Sequence, residues 1–180
     1  MKCEDWVQTY SGKKFYPLNP RIEDIDIIDI AHALSLICRY NGHCKELYTV
    51  AEHSIYVAES LDPHIAIYGL LHDAAEAYLP DVARPIKPLL KGFKEIENKV
   101  LSVIFDKFKL YQWGEVQDKI HKADLSILAD EADQVMGSST EDWYLPESPI
   151  GTKIYFLSSK GAEMIFLLRF KQYMEESEIL

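Results

Sequence analysis

The sequence contains few cysteines, few positive charges and no long apolar run. Its three cysteines are odd in number and form no CxxC pair, which argues against a disulfide framework and indicates a reducing compartment. The apolar runs are too short to cross a bilayer, and the N-terminus lacks the charged and apolar segments of a signal peptide. We therefore expect a cytoplasmic protein with no membrane partner.

Negative charge exceeds positive charge, since 19 lysines and arginines stand against 29 aspartates and glutamates, for a formal net charge of -10. Such a surface repels a nucleic-acid backbone, so duplex nucleic acid is not an expected partner. A small phosphorylated ligand is compatible with this charge, because a bound dication and a few basic residues can dominate the field inside a cleft.

The composition and the apolar pattern are those of a helical protein. Of the 180 residues, 48% are hydrophobic, which is enough for a continuous core. Apolar residues recur at spacings of three and four along most of the chain. They predict six helices: from Asp26 to Gly42, from Thr49 onward, from Asp62 to about Pro80, from Phe93 to Phe108, over Val116–Leu128, and from Ser159 to Met174.

No repeat or linker divides the chain, so we expect a single domain over residues 1–180. Its core would cover residues 26–136, with a lead-in over residues 1–25 and a loop and C-terminal helix over residues 137–180. Phe15-Tyr16 and Ile154–Leu157 are candidates for short strands, which leaves a β-hairpin formed by the termini as an option. The expected fold class is all-α, a compact helical bundle.

The dipeptide His72-Asp73 is the first motif that suggests chemistry. It falls in the middle of the apolar third predicted helix, where an ionised carboxylate beside an imidazole is costly unless a dication neutralises it. On a helix, Glu76 would lie one turn beyond His72 on the same face. An isolated His-Asp pair is more often a surface pair or a satisfied core pair, so its interpretation depends on other residues.

His53 and Asp124 are those other residues. His53 lies in the first turns of the second predicted helix, which Thr49 begins, and Asp124 lies in the apolar stripe of the fifth. Two histidines and two aspartates from three helices form a mixed nitrogen and oxygen set that suits zinc, cobalt, manganese or iron. Such a set can leave coordination positions open for water or a substrate oxygen. The four residues therefore predict a catalytic metal site.

These residues and their surroundings resemble the HD-domain metal-dependent phosphohydrolases, whose metal site is formed by His, His-Asp and Asp in this order. The likeness is greatest to the branch of bacterial 5'-deoxynucleotidases and bacteriophage dNTP triphosphohydrolases, including those that act on dATP. It covers most of residues 5–135. The motifs that carry it are Trp6-Val-Gln-Thr-Tyr10, Phe15-Tyr-Pro-Leu18, Arg39-Tyr-Asn-Gly-His43, Ala51-Glu-His-Ser54, Leu70-Leu-His-Asp-Ala-Ala-Glu76, and Asp81 with Arg84-Pro-Ile-Lys87.

The resemblance implies that the four ligands hold a divalent metal ion and that two further acids act in catalysis. Glu76 would orient or protonate groups around the attacked phosphorus, and Asp81 would support the sugar or the catalytic water. Arg39, as a bidentate fork, and Lys87, as a point charge, are the candidates for phosphate contacts. A second ion, Mg²⁺ accompanying the substrate, is left open. We also expect the chain to form a homo-oligomer.

Two other residues near these motifs allow more than one role, and a third is explained locally. His43 could contact the substrate phosphate, bind a second metal or cap the preceding helix. Tyr78 could stack on a base, although a core aromatic is the more common role at such a position. Glu52 is three residues after Thr49 and completes a capping box, which explains it without a role in the site.

The expected activity is hydrolysis of a deoxynucleotide by attack of metal-activated water on phosphorus. As substrate, dATP ranks first, cleaved by a triphosphohydrolase, and the alternative is a 5'-deoxynucleotidase acting on dNMPs. Two other classes rank lower: a di-iron HD oxygenase, for which Glu76 and His43 are the only spare ligands, and a non-catalytic binding protein. If a bacteriophage encodes the chain, its compartment is the host cytoplasm.

Overall fold

A computed structural model describes residues 5–137 and 143–177 of the chain. Within these ranges the protein is a compact, mostly helical bundle, as the sequence predicts. Its helices are α1 Ile27–Leu36, α2 Val50–Glu59, α3 Pro63–Leu71, α4 Phe93–Lys107, α5 Trp113–Val135 and α6 Ser159–Ser177. Short 3-10 turns cover Ile22–Asp24, Arg39–Gly42, Ala74–Ala77 and Lys87–Leu89. None of the helices described is both long and apolar enough to cross a bilayer.

A two-stranded hairpin precedes the helices. Strand β1, Val7–Gln8, pairs antiparallel with β2, Lys14–Phe15. The expectation of a hairpin formed by both termini is wrong, because both strands belong to the lead-in. Ile154–Leu157 is not a strand: its amides at positions 155 and 157 donate to the buried carboxylate of Glu52, so they do not pair with a neighbouring strand.

The helix starts agree with the capping residues in the sequence. The carboxylate of Asp26 accepts from the amide of Ile28 at 3.0 Å, and the hydroxyl of Thr49 accepts from the amide of Glu52 at 3.1 Å. Each side chain satisfies one of the amides that a helix leaves free in its first turn. Local chemistry is therefore sufficient to place the beginnings of α1 and α2.

The first helix ends earlier than predicted. It stops at Leu36, not at Gly42, because residues 37–39 leave the helix and bond to the segment before α2. The amide of Arg39 donates to the carbonyl of Tyr48 at 2.9 Å, and the amide of Val50 donates to the carbonyl of Ile37 at 3.0 Å. Arg39 therefore opens a separate turn and does not close a helix.

The third helix also ends early, at Leu71 instead of near Pro80. His72 and Asp73 follow its last residue, and Glu76 lies in the 3-10 turn Ala74–Ala77. The expectation that His72 and Glu76 share one face of a continuous helix is wrong. Apolar residues continue through the break, so their spacing does not reveal it.

The core is centred on the α2 and α3 pair. Every residue from Val50 to Ala58 and from Ile65 to Leu71 is buried. Helix α2 contacts α1, α3, α5 and α6, whereas α4 packs on the turn Ala74–Ala77 and on the turn Ile22–Asp24. Helix α4 therefore lies at the side of the bundle, next to the segment that follows α3.

Gly69 marks the closest approach of α2 and α3. A Cβ atom at this position would lie 2.5 Å from Leu61 Cδ1 and 3.1 Å from the backbone Cα of Ala58. The Leu61 side chain can rotate away, but the α2 backbone cannot move without disturbing the core.

We expect Gly69→Val to lower the free energy of unfolding by about 1–3 kcal/mol, because a branched side chain forces α2 and α3 apart. Gly114→Val is the matched control, since a Cβ atom there has no neighbour within 4 Å. Urea unfolding of both variants measures the effect. Equal stability of the two variants would contradict the close packing at Gly69.

Candidate metal centre

The predicted metal ligands meet at one point of the bundle. Ligand atoms of His53, His72 and Asp73 lie within 4.8 Å of one another, so this group could hold a metal ion. The fourth residue, Asp124, joins them through an oxygen that lies 3.2 Å from Nε2 of His53. Helix α2, the end of α3 and helix α5 each contribute to the cluster.

The ring of His72 is oriented by the end of α3. The last carbonyl groups of a helix have no amide partner within it. One of these carbonyls, that of Gly69, accepts from Nδ1 of His72 at 2.7 Å. Because a carbonyl can only accept, Nδ1 carries a proton, and the lone pair is on Nε2 when the ring is neutral. Nε2 is buried and has no hydrogen-bond partner.

The ring of His53 is oriented by Glu131, on helix α5. Nδ1 of His53 lies 2.5 Å from Oε1 of Glu131, and an ionised carboxylate can only accept. Nε2 of His53 is likewise buried without a hydrogen-bond partner, although Asp124 is near it. A histidine that binds a metal through one ring nitrogen commonly donates the N–H of its other ring nitrogen to a carboxylate. The Nε2 atoms of both histidines are thus buried and face two aspartates. This arrangement suits a metal ion.

Glu131 contacts the cluster and is not among the residues predicted from the sequence. It is fully buried and also accepts from Nη2 of Arg39 at 3.2 Å, from the hydroxyl of Tyr48 at 2.8 Å and from the hydroxyl of Tyr40. Burial alone raises the pKa of this carboxyl, but the charges of Arg39 and His53 outweigh it and lower the pKa to about 2. The signal was present, since an acid seven residues after Asp124 returns to the same helical face.

The charged side chains of the cluster shift one another's pKa values. Burial lowers the pKa of His72, yet the carboxylate of Asp73 outweighs it and raises that pKa to about 9. Burial opposes ionisation of Asp73 and Asp124 as well, but neighbouring histidines hold the pKa of Asp73 well below its usual range and that of Asp124 at about 2. A metal ion entering the cluster must therefore displace a proton from His72.

Glu76 is close to the cluster but differs from the ligands. Its side chain is only 8% exposed, and its Oε2 has no hydrogen-bond partner. Burial, followed by the charges of Asp73 and Asp81, raises the pKa of Glu76 to about 9. The half-buried Asp81 has a pKa raised mainly by burial, and Arg39 opposes this shift. Burial and the two neighbouring aspartates therefore favour the protonated form of Glu76.

The two predicted phosphate contacts occupy different positions. Arg39 lies at the cluster, with Nη1 3.8 Å from Asp73, but its Nη2 is bound to Glu131. Lys87 lies next to helix α4, where its Nζ is 2.6 Å from a carboxylate oxygen of Glu97. Both cations are therefore near the predicted site and already paired with a carboxylate.

The structure places His43 and Tyr78, whose roles were open, and Glu52, for which a capping box was predicted. The amide of His43 donates to the carbonyl of Tyr40 and closes the turn Arg39–Gly42, while its side chain is exposed. Tyr78 is buried, and its ring stacks on Phe15 at 3.9 Å between centroids. Neither side chain lines the cleft next to the cluster. The carboxylate of Glu52 does not complete the capping box as predicted, because it is bound to the amides at 155 and 157.

A cleft of about 770 Å³ opens from the cluster between the segment after α3, helix α4 and helix α5. His72, Asp73 and Asp124 lie at its inner end together with Glu76, and Lys87 lines the same end. The volume is in the range of small-molecule sites. A small molecule in the cleft would have direct access to the side-chain atoms of the cluster.

Comparison with known proteins identifies the relatives of this chain. The uncharacterized protein YfdR of Escherichia coli (strain K12) is 34% identical over 173 residues, which cover 94% of this chain and 96% of YfdR. The chain belongs to the YfdR family. An uncharacterized protein of Rhodobacter capsulatus is 34% identical over 146 residues, 74% of each chain. No protein-family model matches the sequence. The names of these YfdR-family proteins state no activity, so the geometry of the site carries the functional argument.

We expect His72→Ala to abolish stoichiometric binding of Zn²⁺ or Mn²⁺, because it removes one of two buried lone pairs. His64→Ala is the matched control: His64 lies in the first turn of α3, the helix that His72 follows, and is exposed. Metal content after dialysis and calorimetric titration are the measurements. Unchanged metal content in His72→Ala would reject this cluster as a metal centre.

A second variant tests the support of His53. Glu131→Gln keeps the size of the side chain but removes the charge that faces His53 and Arg39, so we expect metal affinity to fall by about 10–100-fold. Asp133→Asn, at an exposed position of the same helix, is the control. Circular dichroism verifies that both variants are folded. An affinity equal to that of the control would show that Glu131 does not support the ligand.

Proposed function

We propose that the protein is a metal-dependent phosphohydrolase of the HD superfamily, acting on deoxynucleotides. The observation that supports this most is the pair of buried imidazole nitrogens without partners, which face Asp73 and Asp124 at the inner end of a cleft. This donor set suits zinc, cobalt, manganese or iron. When bound, such an ion supplies Lewis acidity and lowers the pKa of a coordinated water.

The residues around the cluster have chemistry suited to phosphate-ester cleavage. Glu76 lines the cleft and has a raised pKa, so its protonated form can donate to the leaving oxygen. Arg39 compensates the charge of Asp73 and Glu131, which keeps the cluster from accumulating uncompensated negative charge. Lys87 lines the cleft at the same end as the cluster and can contact a phosphate oxygen once Glu97 releases it.

The charge of the cleft favours one phosphate over three. Acidic side chains outnumber cations along it, since Asp73, Glu97, Asp106, Asp118 and Asp124, besides the protonated Glu76, stand against two lysines. Both lysines, Lys87 and Lys94, lie within ion-pair distance of the same glutamate, Glu97. A triphosphate brings more negative charge than this lining can compensate. The 5'-deoxynucleotidase, acting on a monophosphate, is therefore preferred to the dATP triphosphohydrolase.

Identification of the leaving group tests the proposal. Purified protein loaded with Mn²⁺ or Co²⁺ is incubated with a panel of dNMPs and dNTPs, and the products are separated by ion-exchange chromatography. Inorganic phosphate from dNMPs is the expected product. Triphosphate from dATP would replace the nucleotidase with the triphosphohydrolase. Metal-loaded protein that hydrolyses no phosphate ester would contradict the phosphohydrolase altogether.

We expect Glu76→Gln to retain the metal but to lower kcat by about 10²–10⁴-fold, because an amide of the same size cannot donate an acidic proton. Glu115→Gln, at an exposed position in the first turn of α5, is the control. Initial rates and metal content are measured on the same preparations. Loss of the metal from Glu76→Gln would make this residue a ligand, and an unchanged kcat would remove it from the reaction.

A further inference from the structure

The cleft extends well beyond the metal cluster, along two rows of side chains. On α4, Lys94, Asn98, Ser102 and Asp106 line the cleft at intervals of four residues. On α5, His121, Gln117 and Trp113 line it at the same interval, leading away from Asp124. Trp113 precedes Asp124 by 11 residues, which corresponds to roughly 16 Å along the helix axis. The outer part of the cleft is thus long enough for the organic part of a substrate.

The floor of this outer part is aromatic and held in place. The rings of Phe105 and Trp113 lie 5.0 Å apart, and Tyr68 stacks beside Trp113. The hydroxyl of Tyr68 accepts from the amide of Gln112 at 2.9 Å, which anchors the start of α5. Phe105 is buried and Trp113 is half-buried, so a part of the indole faces the cleft. A planar ring could pack on this floor.

The polar groups above the floor change in charge along the cleft. Near the cluster are the cations Lys87 and Lys94, with Glu97 between them. Farther from Asp124 on α5 are the carboxylate of Asp118 and the amide of Gln117, and on α4 the amide of Asn98 is followed about two turns later by the carboxylate of Asp106. Neither of these two aspartates takes part in an ion pair within residues 5–137 and 143–177. A ligand therefore meets cations at its phosphate end and hydrogen-bond acceptors at its other end.

We propose that the outer cleft binds the nucleobase of a nucleoside monophosphate and selects bases that carry an exocyclic amino group. Asn98 and Gln117 would bond to the edge of the base, and Asp106 and Asp118 would accept from its amino group. Ionised carboxylates only accept hydrogen bonds, so a carbonyl at the same place on the base is disfavoured. This inference rests on the proposed phosphohydrolase function and adds the class of base to it.

The pair dCMP and dUMP tests the inference, because the two bases differ in an amino group against a carbonyl group. For the wild-type protein we expect kcat/KM to be about tenfold or more higher for dCMP, the discrimination that a well-placed hydrogen bond to a base edge provides. In the double variant Asp106→Asn/Asp118→Asn, whose side chains can also donate, we expect the ratio to fall to about one. Metal content verifies that the variant is folded.

Hydrolysis of p-nitrophenyl phosphate, which has no base, separates the two proposals. If the wild-type protein cleaves this ester but treats dCMP and dUMP alike, the base-binding inference is overturned and the phosphohydrolase stands. A preference for dCMP that persists in the double variant also overturns it, because the selection then lies elsewhere. If the metal-loaded protein cleaves neither the nucleotides nor p-nitrophenyl phosphate, the proposed function fails and this inference fails with it.

Discussion

The candidate site depends on the hydrogen bonds that the buried carboxylate of Glu131 accepts. Four groups donate to it, from His53, Arg39, Tyr48 and Tyr40. Through these bonds it joins helix α2, helix α5 and the turn Arg39–Gly42. An ionised carboxylate at zero exposure is costly unless it is fully paired. The pairing that stabilises Glu131 also fixes the ring of His53, so the stability of this region and the geometry of the cluster have one origin.

The turn Arg39–Gly42 shows what the site requires of the backbone. Tyr40 and Asn41 have positive φ angles of 54° and 53°, a region that side chains with a Cβ atom rarely adopt. Two such residues in succession are strained, and the bonds from Arg39 and Tyr40 to Glu131 are what hold them there. The strain is therefore part of how the cluster is assembled from a segment outside the helices.

Much of the site could be predicted from residue types, but its local structure could not. Histidine and aspartate at buried positions are costly alone, so grouping His53, His72, Asp73 and Asp124 follows from the sequence. The end of α3 does not, because apolar residues continue past Leu71 and their periodicity is unchanged. The contact of Glu52 with residues about one hundred positions later was equally out of reach, since its capping position explained it locally. Contacts between distant segments leave no periodic signal.

Helix α5 places three residues of the candidate site along one of its faces. Gln117, Asp124 and Glu131 are separated by seven residues each, nearly two full turns, so all three lie along one face. One residue inserted between Gln117 and Glu131 would rotate the two ends of the helix by about 100° relative to each other. The outer cleft and the support of His53 would then no longer face the same way. The length of α5 between these residues is thus more constrained than the identity of most side chains along it.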